Sequence, residues 1–503
     1  MVSSLLVITA AALLQNSTCE ALKTSTLPRA TITAVEFVAA GATAPGRGGR
    51  GGAGAPLPAH CRVAVTQAPS SDSHIEMELW LPTGNWNGKF LAVGNGGWAG
   101  SISFDAMAAG LRRGYATASN DTGHRGGSAS FAPGHPEKLI DFGYRAMHEM
   151  TVQSKALIQA FYQRAPRLSY YQGCSTGGRQ GLMAAQRFPG DFDAIIAGAP
   201  VYNVVHLNVS QVALQVAMLK NPSTLVSTAQ RTAFANAVLA ACDQQDGVKD
   251  GIVSEPRACR FDPGVLACRA DASGAASSAD AASCFTPAQV ENARSAYAPL
   301  RSRSGALVYP GRSPGFESGW RIPAPDAPIN PLFADMVRYV ARQDPKWDPM
   351  TFDLEADLAL AMKNAGFIEA SDPDLAAFKA RGGKLLLYHG WADPGPAPEN
   401  TIDYYDAVNR KLGGTQDDWM RLFLMPGVGH CGGGAGPDQA DFLGVLERWK
   451  ENGVAPGQVI ATKPAGRGAA SPMSRPLCPH PQVARYTGSG STDDAGSFVC
   501  AAP

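Results

Sequence analysis

Short apolar runs bounded by glycine and polar residues give this chain its rhythm. Lys89-Phe90-Leu91-Ala92-Val93 reads as a buried strand, and so do Leu168-Ser169-Tyr170-Tyr171, Phe192-Asp193-Ala194-Ile195-Ile196-Ala197-Gly198, Lys384-Leu385-Leu386-Leu387-Tyr388 and Arg421-Leu422-Phe423-Leu424-Met425. Arg179 to Arg187 reads as a helix. Buried strands alternating with helices predict an α/β fold, because such strands need cover on both faces. The alternation breaks between about 202 and 376, where amphipathic helical segments are joined by Pro- and Gly-rich connections, and it resumes at Gly383. The pattern predicts a core of residues 19–201 and 377–503 interrupted by an inserted lid domain, 202–376. No internal repeat is present. Ala40 to Pro58, dense in Gly, Ala and Pro with Arg47 and Arg50, reads as a solvated loop.

Between the strand at 168–171 and the helix from Arg179 stands Gly173-Cys174-Ser175-Thr176-Gly177, which fits the G-x-S-x-G nucleophile elbow. The elbow lifts a serine oxygen above the sheet on a turn too tight for side chains at the flanking glycines. A serine nucleophile needs a base and an orienting acid, which in this arrangement follow in the order Ser, Asp or Glu, His. Asp393 lies on a loop just past the strand at 384–388, where catalytic groups of open α/β sheets gather. His430 follows the strand at 421–425 and is the candidate base among nine histidines. His389 sits at a strand end before the acid and is assigned to shaping that loop. Cys174 precedes the nucleophile and Cys431 follows the base, so a bridge between them would preorganise the pair; the alternative is two unrelated thiols.

Gly-Cys-Ser-Thr-Gly-Gly with a distant Asp and a His-Cys pair resembles the tannase/feruloyl esterase family of α/β-hydrolases, which includes mono(2-hydroxyethyl) terephthalate hydrolase. The resemblance runs from near Cys19 to the C-terminus. It implies a triad of Ser175, Asp393 and His430. It also implies an oxyanion hole from the backbone N–H groups of Thr176 and of Gly97, on the glycine-rich loop after the strand at 89–93. The implied disulfides are Cys19–Cys61, Cys174–Cys431, Cys242–Cys259, Cys268–Cys284 and Cys478–Cys500.

A second cluster, Cys242 to Ile252, alternates carboxylates with Asp-Gly turns. Asp243, Asp246 and Asp250, with the carbonyls of Val248 and Ile252, suit a hard Ca²⁺ ion, and the resemblance implies a structural calcium there. With no histidine in the loop, zinc is a poor fit.

Lys and Arg number 43 and Asp and Glu 43, a balance that argues against a nucleic-acid partner and for an uncharged or weakly charged substrate. Ten cysteines without zinc-type spacing favour disulfides, hence secretion or the periplasm. Leu5 to Leu14 resembles a signal core within a segment 1–18, although no basic residue precedes it, and it is too short to span a membrane. Asn16, Asn120 and Asn208 head N-x-S/T sequons.

The insert should set the substrate. Trp320, Phe333, Met336, Tyr339 and Trp347 are candidates for an aromatic pocket, and Arg338 or Arg342 for a carboxylate contact. Pro394 to Pro398 lacks the phenylalanine expected of a terephthalate-monoester hydrolase, which favours an ester of a hydroxyaromatic acid such as ferulate or gallate, free or attached to a plant polysaccharide or polyphenol. The rival readings are a terephthalate-monoester hydrolase, a thiol hydrolase using Cys174, and a non-catalytic calcium-stabilised binding protein.

Overall fold

The computed structural model describes residues 18–45, 55–269, 283–323, 329–466 and 471–503. The signal-like segment, Asn16, Arg47 and Arg50 lie outside the described residues. The chain forms two compact units, one of residues up to Ala197 with 367–383, the other of 198–366 with 384–503.

The first unit carries strands β1 (Ala30–Val38), β2 (His60–Gln67), β3 (Ile75–Pro82), β4 (Lys89–Val93), β5 (Ala116–Asn120), β6 (Leu168–Cys174) and β7 (Ala194–Gly198), in the sheet order β1-β2-β3-β5-β4-β6-β7. β1, β2, β3 and β5 pair antiparallel in turn, whereas β4 runs parallel to both β5 and β6. Every residue of β4 and β5 is buried, while β1 alternates and leaves one face to solvent. Continuous burial requires helical cover, and parallel neighbours require crossovers. Helices Phe104–Arg112, Ala146–Tyr162 and Thr176–Arg187 follow β4, β5 and β6 in turn. β6 runs three residues beyond the expected Tyr171 and delivers the chain directly to Ser175.

In the second unit the chain after β7 enters an insert of helices Val204–Lys220, Thr228–Cys242, Pro287–Tyr297 and Leu354–Ala365, with a short hairpin of β8 (Leu300–Arg301) and β9 (Leu307–Tyr309). Ser227 and Thr286 each open a helix with a capping box, completed by Gln230 and Gln289. The two glutamines also bond each other, Gln230 Nε2 to Gln289 Oε1 at 2.9 Å, which locks both helix starts together. Phe234, Val238, Phe285, Phe316 and Trp320 pack into the insert's own core. β10 (Lys384–Gly390) and β11 (Met420–Met425) then pair in parallel, Leu385 opposite Met420.

Bridges join Cys19 to Cys61, Cys242 to Cys259, Cys268 to Cys284 and Cys478 to Cys500, and Cys174 and Cys431 are disulfide-bonded as well. No helix among the described residues is long and apolar enough to cross a membrane.

Candidate active site

Ser175 joins β6 to its helix with φ 64° and ψ −122°, a backbone conformation that costs a non-glycine residue about 1–3 kcal/mol. Close packing around it holds the turn. A Cβ on Gly177 would come within 2.9 Å of the Asn95 carbonyl oxygen, so only glycine lets the loop after β4 lie against the elbow. Hydrogen bonds fix that loop. Thr176 Oγ1 donates to the Gly97 carbonyl at 2.9 Å, Asn95 N–H donates to Gln180 Oε1 at 3.1 Å, and Tyr171 Oη donates to the Gly177 carbonyl at 2.7 Å. The His124 ring, held below its ordinary pKa by burial, donates from Nε2 to the Trp98 carbonyl at 2.8 Å. Thr176 and Gly97 are thus neighbours through a side-chain bond, and the helix behind Ser175 presents its N-terminal N–H groups, which favour negative charge.

The second unit holds the candidate acid and the candidate base. β10 ends in Gly390, where a Cβ would lie 2.3 Å from the Val428 carbonyl oxygen; its absence lets the loops after β10 and β11 close on each other. Ala392 N–H donates to Val428 O at 2.9 Å across that contact. The result brings His430 Nδ1 to 2.6 Å from Asp393 Oδ2. Asp393 is fully buried, whereas His430 keeps about a third of its side chain exposed. Burial would push the Asp393 carboxyl up, but the charge of His430 and hydrogen bonds from His389 and His430 outweigh it and hold the group well below the usual carboxylate range. An ionised buried carboxylate on Nδ1 orients an imidazole to accept a proton at Nε2.

His430 also borders a cavity of about 670 Å³ within the second unit, shared by the insert and the loops after β10 and β11. Thr228, Arg231, Asn236, Glu317 and Trp391 line it. Arg231 Nη1 donates to the Trp320 carbonyl at 2.9 Å. The Trp320 ring itself belongs to the insert's core, and neither Trp320 nor Arg338 lines this cavity. Arg338 instead lies 3.6 Å from Asp335, and Arg342 pairs with the fully buried Asp357 at 2.5 Å. Sequence reasoning passed over Arg231, because an arginine on an amphipathic helix reads as part of a solvated face.

The acidic loop after helix Thr228–Cys242 folds on its own carboxylates. Asp243 accepts backbone N–H groups of Asp250, Gly251 and Ile252 at 3.0–3.3 Å, Asp246 accepts from Val248 at 2.9 Å, and Asp250 pairs with Arg475. Burial raises the Asp250 carboxyl above its ordinary value; Arg475 counters this, and the charges of Asp246 and Asp243 add to it. Such crowding of oxygen donors is what a hard cation relieves. Among the described residues no three His, Cys, Asp or Glu side chains converge as a metal-holding group, so an ion here would draw on backbone carbonyls, as at Val248 and Ile252.

A strand–serine–helix turn on a mixed sheet, with a carboxylate–histidine pair on loops after later strands, defines an α/β-hydrolase. Residues 61–501 match the tannase and feruloyl esterase family, and the chain belongs to it and is a carboxylic ester hydrolase. It is 38% identical over 539 aligned positions to an uncharacterized esterase of Xanthomonas campestris, covering 96% of this chain and 91% of that protein. It is 34% identical to feruloyl esterase C of Talaromyces stipitatus, covering 88% and 85%. The crystal structure of feruloyl esterase B from Aspergillus oryzae superposes with a TM-score of 0.88 at 31% identity, over 97% of this chain and all of that one. Tannin acyl hydrolase of Aspergillus niger shares the fold, with a TM-score of 0.80 at 23% identity.

Proposed function

We propose that this esterase hydrolyses esters of hydroxyaromatic acids, of the feruloyl or gallate type, through an acyl-enzyme on Ser175. His430 takes the Ser175 proton as the hydroxyl attacks the ester carbonyl, and returns it to the departing alcohol. Asp393 holds His430 in the tautomer that accepts at Nε2 and stabilises the imidazolium. The N–H groups of Thr176 and Gly97 receive the oxyanion. Water, activated by the same histidine, then releases the aromatic acid. The observation that carries this reading is the short bond between Asp393 and His430, set on a fully buried carboxylate kept ionised.

Feruloyl esterases are among the similar proteins, which supports ferulate-type acids as the acyl group. The cavity beside His430 supports a polar partner. Trp391 offers a flat apolar wall, and Thr228, Arg231 and Asn236 offer donors at the spacing of one helix face. A hydroxylated ring or a sugar fits such a lining. Initial rates on methyl ferulate, methyl gallate and mono(2-hydroxyethyl) terephthalate, with Ser175→Ala as blank, test the reading. Preference for ferulate or gallate is expected; preference for the terephthalate monoester would overturn the substrate assignment in favour of carboxylate recognition. Arg231→Ala should raise KM for the preferred ester about tenfold with little change in kcat, the sign of lost ground-state binding.

A Cys174–Cys431 bond would tie nucleophile and base together. Replacing both by serine should lower kcat at least tenfold with the fold retained; unchanged rates would remove that role. Ca²⁺ on Asp243, Asp246, Asp250 and the carbonyls of Val248 and Ile252 would brace the insert without entering the chemistry. Saturating Ca²⁺ at about 100 times its Kd should add about 3 kcal/mol of stability, and Asp243→Asn should abolish that gain. Ten disulfide-bonded cysteines support an oxidising compartment, outside the cytosol, for the folded enzyme.

A further inference from the structure

Asp393 is held by two histidines. His389 Nε2 lies 3.0 Å from Asp393 Oδ2, the same oxygen that His430 Nδ1 meets at 2.6 Å. The other carboxylate oxygen, Oδ1, accepts Gly395 N–H at 2.8 Å. His389 is fully buried, as are Asp393 and Thr401, and Thr401 Oγ1 stands 2.7 Å from His389 Nδ1. An ionised carboxylate only accepts, so His389 must carry its proton on Nε2. In the neutral ring Nδ1 is then an acceptor, and the Thr401 hydroxyl is its donor. The contacts from Thr401 through His389 and Asp393 to His430 Nδ1 thereby fit one arrangement of protons.

We infer that His389, with its tautomer set by Thr401, is a positioning residue for this esterase: it fixes the plane and the basicity of Asp393 and so tunes the proton affinity of His430. The inference rests on the triad reading above. Two donors on Oδ2 leave the carboxylate one favourable rotation, the one that aims Oδ2 at His430. They also spread its charge. With the His389 proton withdrawn, more of that charge falls on His430 and its imidazolium gains stability. Other groups facing this chain are few and stay constant in the test. The buried Arg312 of the insert donates to the Gly395 carbonyl at 3.3 Å and adds positive potential at Asp393. Tyr309 Oη accepts Ala397 N–H at 3.2 Å, and the buried Glu399 accepts Ser313 N–H at 2.9 Å while sensing His389.

The test is the pH profile of kcat/KM on methyl ferulate for wild type, His389→Leu, His389→Gln and Thr401→Val, with Ser175→Ala as blank. Gln can place an N–H where Nε2 stands; Leu cannot. His389→Leu should lose 10- to 100-fold in kcat with KM nearly unchanged, and its acid limb should move to higher pH. His389→Gln should recover at least half of that loss on a logarithmic scale and restore the limb. Thr401→Val should shift the limb the same way by a smaller amount, and it serves if the leucine variant does not fold. Equal losses in the Leu and Gln variants with an unmoved limb would reduce His389 to a packing residue and overturn the inference, as would full activity in His389→Leu. Turnover by Ser175→Ala would instead overturn the triad itself, so the two failures are distinct.

Discussion

Asp121 in the first unit and Asp393 in the second are both buried aspartates that accept backbone N–H groups, yet their carboxyls move in opposite directions. Asp121 Oδ1 accepts from Glu76 N–H at 3.0 Å and from Gly123 N–H at 2.9 Å, and burial still pushes its pKa up to about 6. Asp393 is more deeply buried and receives a single backbone donor, but two imidazoles face it and its pKa falls below the ordinary range. Backbone dipoles alone do not offset desolvation at these sites; a partner able to carry positive charge does. The turn at Ser175 is likewise held by close backbone packing at Gly177, whereas Asp393 is held by charge.

The largest expected effects separate the two aspartates by function. Asp393→Asn should lower kcat by about 10⁴-fold, by allowing the wrong His430 tautomer, with the fold intact. Asp121→Asn should leave kcat within about twofold. Steady-state kinetics on methyl ferulate reads both; equal losses would erase the contrast.

Backbone packing should respond next. Gly177→Ala and Gly390→Ala each drive a Cβ into a carbonyl oxygen, at 2.9 and 2.3 Å, and should cost about 1–3 kcal/mol or more in denaturant unfolding. Both meet backbone that cannot swing away, and Gly390→Ala, with the closer contact, should cost more.

The remaining effects lie in pH dependence, and their signs differ. Asp393 has a depressed folded value, so its contribution is present at neutral pH and is lost as pH falls below the ordinary carboxylate range. Asp121 has a raised value, so the folded state holds its proton longer, and stability falls as pH climbs from about 4 to about 6. Asp121→Asn should remove that fall, worth about 2–3 kcal/mol, and stabilise the enzyme at pH 7 relative to pH 4. A curve unchanged by the substitution would mean that Asp121 ionises freely.

The same contrast explains what the sequence disclosed. Gly173 to Gly177 is legible because a steric demand on a tight turn acts on consecutive residues, and the resulting motif is local. The strands at 89–93 and 384–388 were legible because buried parallel strands are apolar throughout. Asp393 and His430 are legible from their positions after strands, from Cys431 beside His430, and from the family resemblance. Their short contact, and the His389–Thr401 chain behind it, depend on how two loops and a helix converge, which leaves no periodic trace. Thr401 lies in a helix whose sequence, Pro398 to Lys411, reads as ordinary and half-solvated. Trp320 looked like a pocket wall because aromatic residues serve cores and pockets alike; its ring packs with Phe234 at 5.9 Å in the insert's core, and only its carbonyl, through Arg231, relates to the cavity.

The central claim is that Ser175 is the nucleophile and is activated by His430. Intact-mass and peptide mapping after treatment with an aryl organophosphate tests it most directly. A single phosphoryl adduct on Ser175, formed slowly or not at all in His430→Ala and absent in Ser175→Ala, is the predicted result. An adduct elsewhere, or full-rate labelling without His430, would contradict the account.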